Sequence, residues 1–149
     1  MFENENEPSL TAIQWFNKGY DYDVKEEYDN AIFAYTKAIE LNPQDGDAYT
    51  NRGAVYDTKG EYDLAITDYT KGIELNPQDG DAYTNRGNVY LGKGQYELAI
   101  SDYDKMIELN PRDVDVYINK VFACEQSGHY TSPQIDAVKQ KIRDLGGQI

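Results

Sequence analysis

A single histidine and a single cysteine limit the chemistry this chain can do. His129 stands beside Gly128 in a predicted turn. A general base needs a nucleophile or substrate within hydrogen-bond reach, so His129 is assigned a solvent-exposed or capping role. Cys124 falls on the side of a predicted helix that faces its partner helix. A buried small apolar residue is expected there, because a reactive thiolate wants exposed, electropositive surroundings. One cysteine excludes an internal disulfide and a cysteine-rich metal site, and one histidine excludes His-pair metal motifs. Asp45-Gly46-Asp47 and Asp79-Gly80-Asp81 look like pieces of calcium loops. The alternating ligands and the terminal bidentate Glu of such a loop are missing. Asp47 and Asp81 are read instead as opening helices, where a carboxylate suits the positive end of the helix dipole. Neither a G-x-x-x-x-G-K-[ST] nor a G-x-G-x-x-G phosphate loop is present. No catalytic residue, cofactor or metal ligand is therefore assigned, and the chain is expected not to be an enzyme.

One polar series has a different chemistry. Asn17, Asn51, Asn85 and Asn119 recur every 34 residues. An amide side chain both donates and accepts hydrogen bonds. A ladder of amides suits an extended peptide backbone, whose N–H and C=O groups lose water on binding. The competing reading is that each Asn bonds a neighbouring helix or water.

The elements that position this ladder follow from the same period. Asn42-Pro43, Asn76-Pro77 and Asn110-Pro111 are also 34 residues apart, and residues 39–53 recur unchanged as 73–87. Residues 46–79 and 80–113 share 25 of 34 positions. A fixed period of this length signals a repeat architecture. Within the second unit, Ala48, Tyr49, Arg52, Gly53, Val55 and Tyr56 line one face of a helix over about 47–59, which Gly60 ends. Tyr62, Ala65, Ile66, Tyr69 and Ile73 then make an amphipathic stripe. Asn76-Pro77 closes that helix, since the residue before proline is pushed out of the α region. Gly53 and Ala65 let the two helices approach. Thirteen of the 14 tyrosines fall in four recurring slots, which reads them as framework; Tyr20 lies outside those slots.

Net charge narrows the partners. The 149 residues carry 27 Asp or Glu against 14 Lys or Arg, a formal charge of −13. Phosphate binding is driven mainly by Lys and Arg, so binding of nucleic acid or anionic lipid through a basic patch is not expected. No apolar run of about 18 residues exists, so no membrane insertion is expected. The start, MFENENEP, is acidic and has no apolar stretch, which makes the cytoplasm the expected compartment. The charge sums to −3 over residues 1–11, −4 over 12–45, −4 over 46–79, −2 over 80–113 and 0 over 114–149. These are the expected divisions: an acidic arm, three repeats and a neutral cap.

The units resemble tetratricopeptide repeats, whose pattern is W-x2-L-G-x2-Y, A-x3-F, P. The first reads Trp15-x2-Lys18-Gly19-x2-Tyr22, Ala31-x3-Tyr35, Pro43. The second reads Tyr49-x2-Arg52-Gly53-x2-Tyr56, Ala65-x3-Tyr69, Pro77, and the third Tyr83-x2-Arg86-Gly87-x2-Tyr90, Ala99-x3-Tyr103, Pro111. Lys18, Arg52 and Arg86 replace Leu and are expected half exposed. The fourth unit departs, with Val121 for Gly, Cys124 for Tyr and Pro133 for Ala. Residues 115–127 and 133–145 are read as a degenerate capping pair, with Ser132 as N-cap and Pro133 at the first helical position.

The resemblance implies an all-α, right-handed superhelical solenoid of antiparallel helix pairs, with the first helix of each pair lining a concave groove. The residues left to that groove are Phe16, Asn17 and Tyr20 in unit one; Asp47, Thr50 and Asn51 in unit two; Asp81, Thr84, Asn85 and Asn88 in unit three; and Asn119 and Phe122 in the cap. Its ends are apolar, with Ile13, Phe16 and Tyr20 at one and Ile118 and Phe122 at the other; packing is the alternative role for these. Some members of the family hold acidic C-terminal tails of heat-shock chaperones in a carboxylate clamp. At the clamp positions this chain has Phe16, Tyr20, Asn51, Asp81 and Asn85, of which Asn51 alone matches. The expected function is a peptide-binding scaffold for a basic or neutral segment, extended or helical. A secretion-type or assembly chaperone and a self-associating homo-oligomer, joined through Phe2, Phe16 or the last helix, are the alternatives.

Overall fold

The structure is a computed structural model that describes residues 9–149. Residues 1–8, which hold Phe2 and most of the acidic arm, lie outside the described residues. The described residues form eight helices and no strand. They are α1 (Ala12–Val24), α2 (Tyr28–Leu41), α3 (Gly46–Thr58), α4 (Tyr62–Leu75), α5 (Gly80–Gly92), α6 (Tyr96–Leu109), α7 (Val114–Ser127) and α8 (Ser132–Asp144). Each helix packs on its chain neighbours, so the molecule is a solenoid of antiparallel pairs. No helix among the described residues is long and apolar enough to cross a membrane.

Local chemistry sets the boundaries. The side chains of Asp45, Asp79 and Asp113 accept hydrogen bonds from the backbone N–H of Ala48, Ala82 and Val116 and so cap α3, α5 and α7. The three Asn-Pro steps stop α2, α4 and α6. After α3, α5 and α7 the chain turns through glycines at positive φ: Gly60 (77°), Gly94 (70°) and Gly128 (70°). The matching position after α1 is Glu26, at φ 60°. In the cap the N-cap of α8 is Thr131, not Ser132, because Gln134 reaches back to the Thr131 N–H (2.8 Å).

Within each pair, a tyrosine ring lies across a glycine. Tyr35, Tyr69 and Tyr103 are buried, at 0, 1 and 0% exposure. A Cβ on Gly19 or Gly87 would meet those rings at 2.7 and 2.9 Å, closer than packing tolerates, and one on Gly53 would press on Tyr69 at 3.0 Å. Ala31, Ala65 and Ala99 are fully buried beside them. Tyr62, by contrast, stands at the start of α4 with 48% exposure, so that framework slot is only partly covered.

The junctions between units are held by a polar clamp. Arg52 and Arg86 are not half exposed as their sequence slot suggests; their side chains retain 16% exposure. Arg52 donates from Nε and Nη2 to Asp68 (2.7 and 2.8 Å) and from Nη1 to Thr36 Oγ1 of the preceding unit (2.9 Å). Arg86 repeats this with Asp102 and Thr70, at 2.8, 2.7 and 2.9 Å. Lys59 to Asp29 (2.7 Å) and Lys93 to Asp63 (2.9 Å) bridge the same junctions at their rims. In the cap Lys120 takes the Arg place and pairs with Asp104 at 2.5 Å.

The ends differ from the middle. Ala48, Val55, Ala82, Val89, Val116 and Ala123 are buried at the junctions, and the same two positions of α1 hold the exposed Gln14 and Asp21. At the other end Ile142 is fully buried and, with Ile135, Val138 and Leu145, covers Tyr117 and Val121.

Curvature decides where a groove lies. The first helices α1, α3, α5 and α7 touch in succession, whereas α2, α4, α6 and α8 do not touch one another. The first helices therefore line the inner side of the curve.

Candidate functional site

The inner side is assembled from one face of each first helix, so residues 34 apart fall in one row. One row is Ile13, Asp47, Asp81 and Asp115; all four are exposed. The Asn row follows, with Asn17 exposed and Asn51, Asn85 and Asn119 half-buried. A third row is Tyr20, Ala54, Asn88 and Phe122, with Tyr20 56% and Phe122 50% exposed.

At the centre of this side lies a cleft of about 290 Å³, lined by Asp47, Thr50, Asn51, Ala54, Asp79, Asp81 and Asn85. Helix caps account for part of its charge: Asp79 caps α5, while Asp47 and Asp81 sit in the first turns of α3 and α5. No Lys or Arg lines it. Among the described residues no three His, Cys, Asp or Glu are grouped to hold a metal ion.

The individual side chains are not equally available. Thr50 is buried in the wall, and its hydroxyl donates to Asp79 Oδ2 (3.0 Å). Thr84 donates to the Gly80 carbonyl of its own helix (3.1 Å). Asn51 donates to the Asp47 carbonyl (2.8 Å), which leaves its amide oxygen for another donor. Asn88 accepts twice at Oδ1, from the buried Tyr103 hydroxyl (2.8 Å) and from Asn119 Nδ2 (3.1 Å). Asn88 and Asn119 thus form a pair across the last junction. Phe16 packs edge-to-face on Tyr35, with centroids 5.5 Å apart, while its open side forms a small recess with Ile13, Asp45 and Asp47.

Burial lifts the carboxyls of Asp23 and Asp57 above the ordinary aspartate value. Both stand on the inner side, near the buried tyrosines Tyr35 and Tyr69, whose own pKa values rise chiefly through burial and then through those carboxylates. Cys124 is buried, and desolvation raises its pKa, which keeps it a thiol. His129 is exposed and meets Glu97 at 2.6 Å, far from the cleft residues in sequence and on a different turn of the stack.

Two contributors were not legible as site residues. Asp79 belongs to a turn in sequence, yet its carboxylate caps α5 and closes the cleft wall through Thr50. The clamp of Arg52, Asp68 and Thr36 fixes α3, which carries Asp47 and Asn51, against α2 and α4. A signal for it exists in the recurrence of Arg and Asp 16 residues apart in two successive units.

Comparison with known proteins places this geometry. The tetratricopeptide repeat family model matches residues 12–45, 46–79 and 80–113. No curated protein matches the chain. Among solved structures, the first tetratricopeptide domain of Spaghetti (RPAP3), bound to the HSP90 peptide SRMEEVD, superposes with a TM-score of 0.77 at 26% identity, over 84% of this chain and 99% of that one. MamA gives a TM-score of 0.85 at 24% identity, over 91% of this chain and 78% of that one. YrrB, described as having an unusual peptide-binding site, gives 0.77 at 23% identity, over 90% and 68%. The last two likenesses show the fold. Three consecutive matched repeats on eight paired helices show that the chain belongs to the tetratricopeptide repeat family, a family of non-enzymatic protein–protein interaction modules.

Proposed function

We propose that this chain is a scaffold that binds a basic or neutral peptide segment along its inner side. The observation that carries this reading is the central cleft, where Asp47, Asp79 and Asp81 stand with Asn51 and Asn85 and no cation. Three carboxylates attract a Lys or Arg side chain, and the amides suit a main chain beside it. The HSP90 peptide bound by the Spaghetti domain carries two Glu and an Asp. Such a peptide would meet like charge here, and the clamp positions Phe16, Tyr20 and Asp81 supply no cation to it. Gln14 and Asp21, at positions buried at every internal junction, disfavour self-association through the leading edge.

The test is calorimetry against capped nonapeptides that differ in carrying Lys or Glu at the centre. Lys peptides are expected to bind and Glu peptides not, with affinity falling as salt rises. Preference for Glu peptides would overturn the charge argument. Asn51→Ala combined with Asn85→Ala should weaken binding while the melting temperature changes little; unchanged affinity assigns both amides to the fold.

A further inference from the structure

The three buried tyrosines of the repeat do not share one fate. Tyr103 donates its hydroxyl to the Asn88 amide oxygen at 2.8 Å. Tyr35 stands in the same framework position of unit one and is 0% exposed, but its hydroxyl has no hydrogen-bond partner among the described residues. A phenol taken from water without a partner forfeits the free energy of a hydrogen bond, so its site calls for an acceptor.

The repeat itself shows which acceptor fits. Asn88 lies on the inner side, and its counterpart in unit one is Tyr20. A phenol in that place cannot present a carbonyl oxygen as an amide does. The Tyr103 hydroxyl reaches Asn88 on the inner side, and Tyr35 holds the same framework position in unit one, so its hydroxyl is directed toward the groove floor of that unit, where α1 carries Tyr20 and Asp23. Tyr20 is 56% exposed and makes no hydrogen bond within the described residues, so it is free to turn outward.

We propose that the Tyr35 hydroxyl is the donor of an amide-recognition niche, which takes an amide carbonyl of the bound segment in the place that Asn88 fills in unit three. Tyr20 covers this niche and Asp23 stands beside it to accept the N–H of the same segment. The ligand class is a main-chain amide or an Asn or Gln side chain. This deepens the groove reading above and rests on it: the segment crosses the cleft with its side-chain cation and is registered at unit one by its backbone. In unit three the position is already closed by Asn88.

Two measurements test this. Crystals soaked in N-methylacetamide should show its oxygen within hydrogen-bond distance of Tyr35 Oη, with Tyr20 turned outward. Tyrosine ¹³Cζ spectra in the same titration should shift at Tyr35 and not at Tyr103. Tyr20→Asn installs the Asn88 arrangement, and it should raise the urea midpoint and abolish both signals. A water at Tyr35 Oη that persists through the soak overturns the proposal, as does a Tyr20→Asn protein that responds like the parent. With a Lys nonapeptide that binds the parent, Tyr35→Phe should weaken affinity by about three- to tenfold, the worth of one hydrogen bond, and Tyr103→Phe should not. Equal effects of the two overturn the niche and leave the groove standing. If no nonapeptide binds, the groove reading fails, and the soak and the spectra still decide the niche.

Discussion

Replacing Arg52 by Leu tests the clamp that joins the repeats. Leu is the residue the family pattern places in this slot, so the helix loses no propensity by the change. Arg52 makes three charge-assisted bonds of 2.7 to 2.9 Å, and its partner Asp68 keeps only 6% side-chain exposure. Truncation leaves that carboxylate in a low-dielectric site with no counter-charge. Removing one member of such a buried pair costs about 3–5 kcal/mol. Unit one carries Ala34 in the Asp68 position, so Asp68→Ala is compatible with the local packing. The double variant Arg52→Leu with Asp68→Ala removes the stranded charge and should recover most of the loss, with a coupling of at least about 2 kcal/mol. The assay is urea denaturation followed by circular dichroism and by fluorescence of Trp15, the single tryptophan, which lies in unit one. Two of the three bonds lie within unit two and the third crosses to Thr36, so the change weakens unit two and the first junction together, and unit one, which rests on that junction, should be released early. The Trp15 midpoint should then fall below the dichroism midpoint in Arg52→Leu and coincide with it in the parent. A single-variant cost under about 1 kcal/mol, or strictly additive costs, would refute the clamp.

Three further outcomes follow from local geometry. Glu26 turns through φ 60°, where glycine stands after the other first helices, so Glu26→Gly should raise stability by about 0.5–1 kcal/mol in urea. Asp57 is held above its usual value of 3.8 by burial. The folded chain therefore keeps that proton longer than the unfolded chain, and stability is lost as pH rises through the window above 3.8. Asp57→Asn should thus raise the urea midpoint at neutral pH and leave it unchanged well below 3.8; the opposite pH dependence would contradict the burial. Tyr103→Phe removes one of the two donors to Asn88 Oδ1 and should cost about 1 kcal/mol by the same assay, while the Asn119 bond to Asn88 remains.

The fold was legible because its period is written in residues with narrow conformational tolerance. Pro43, Pro77 and Pro111 stop the helices before them, and Gly19 and Gly87 admit a ring that no Cβ would allow. The inner row of asparagines could be placed by counting. What each amide does could not, since Asn51 turns to its own helix and Asn119 to Asn88 of the preceding unit, a choice made by the neighbour's identity. Thr50 shows the same limit: its side of the helix is readable, but its bond to Asp79 joins residues 29 apart. The burial of Arg52 escaped because a charged residue in an apolar slot suggests exposure until its partner on the next helix is known. Thr131 displaced Ser132 as cap by one residue, a distinction set by where Gln134 reaches.

The matched junctions bear on how such a chain changes over generations. Arg52 and Arg86 use chemically identical partners, Thr36 with Asp68 and Thr70 with Asp102, and Lys59 and Lys93 likewise meet Asp29 and Asp63. If a recombination between the segments that encode the identical stretches 39–53 and 73–87 removed residues 46–79, α2 would meet α5 directly. Arg86 would find Thr36, Lys93 would find Asp29, and Asp45 would take over the cap of α5. No interface would have to be invented. Unit number is thus a heritable variable that can step up or down by one, with selection acting on groove length while the contacts between neighbours stay constant.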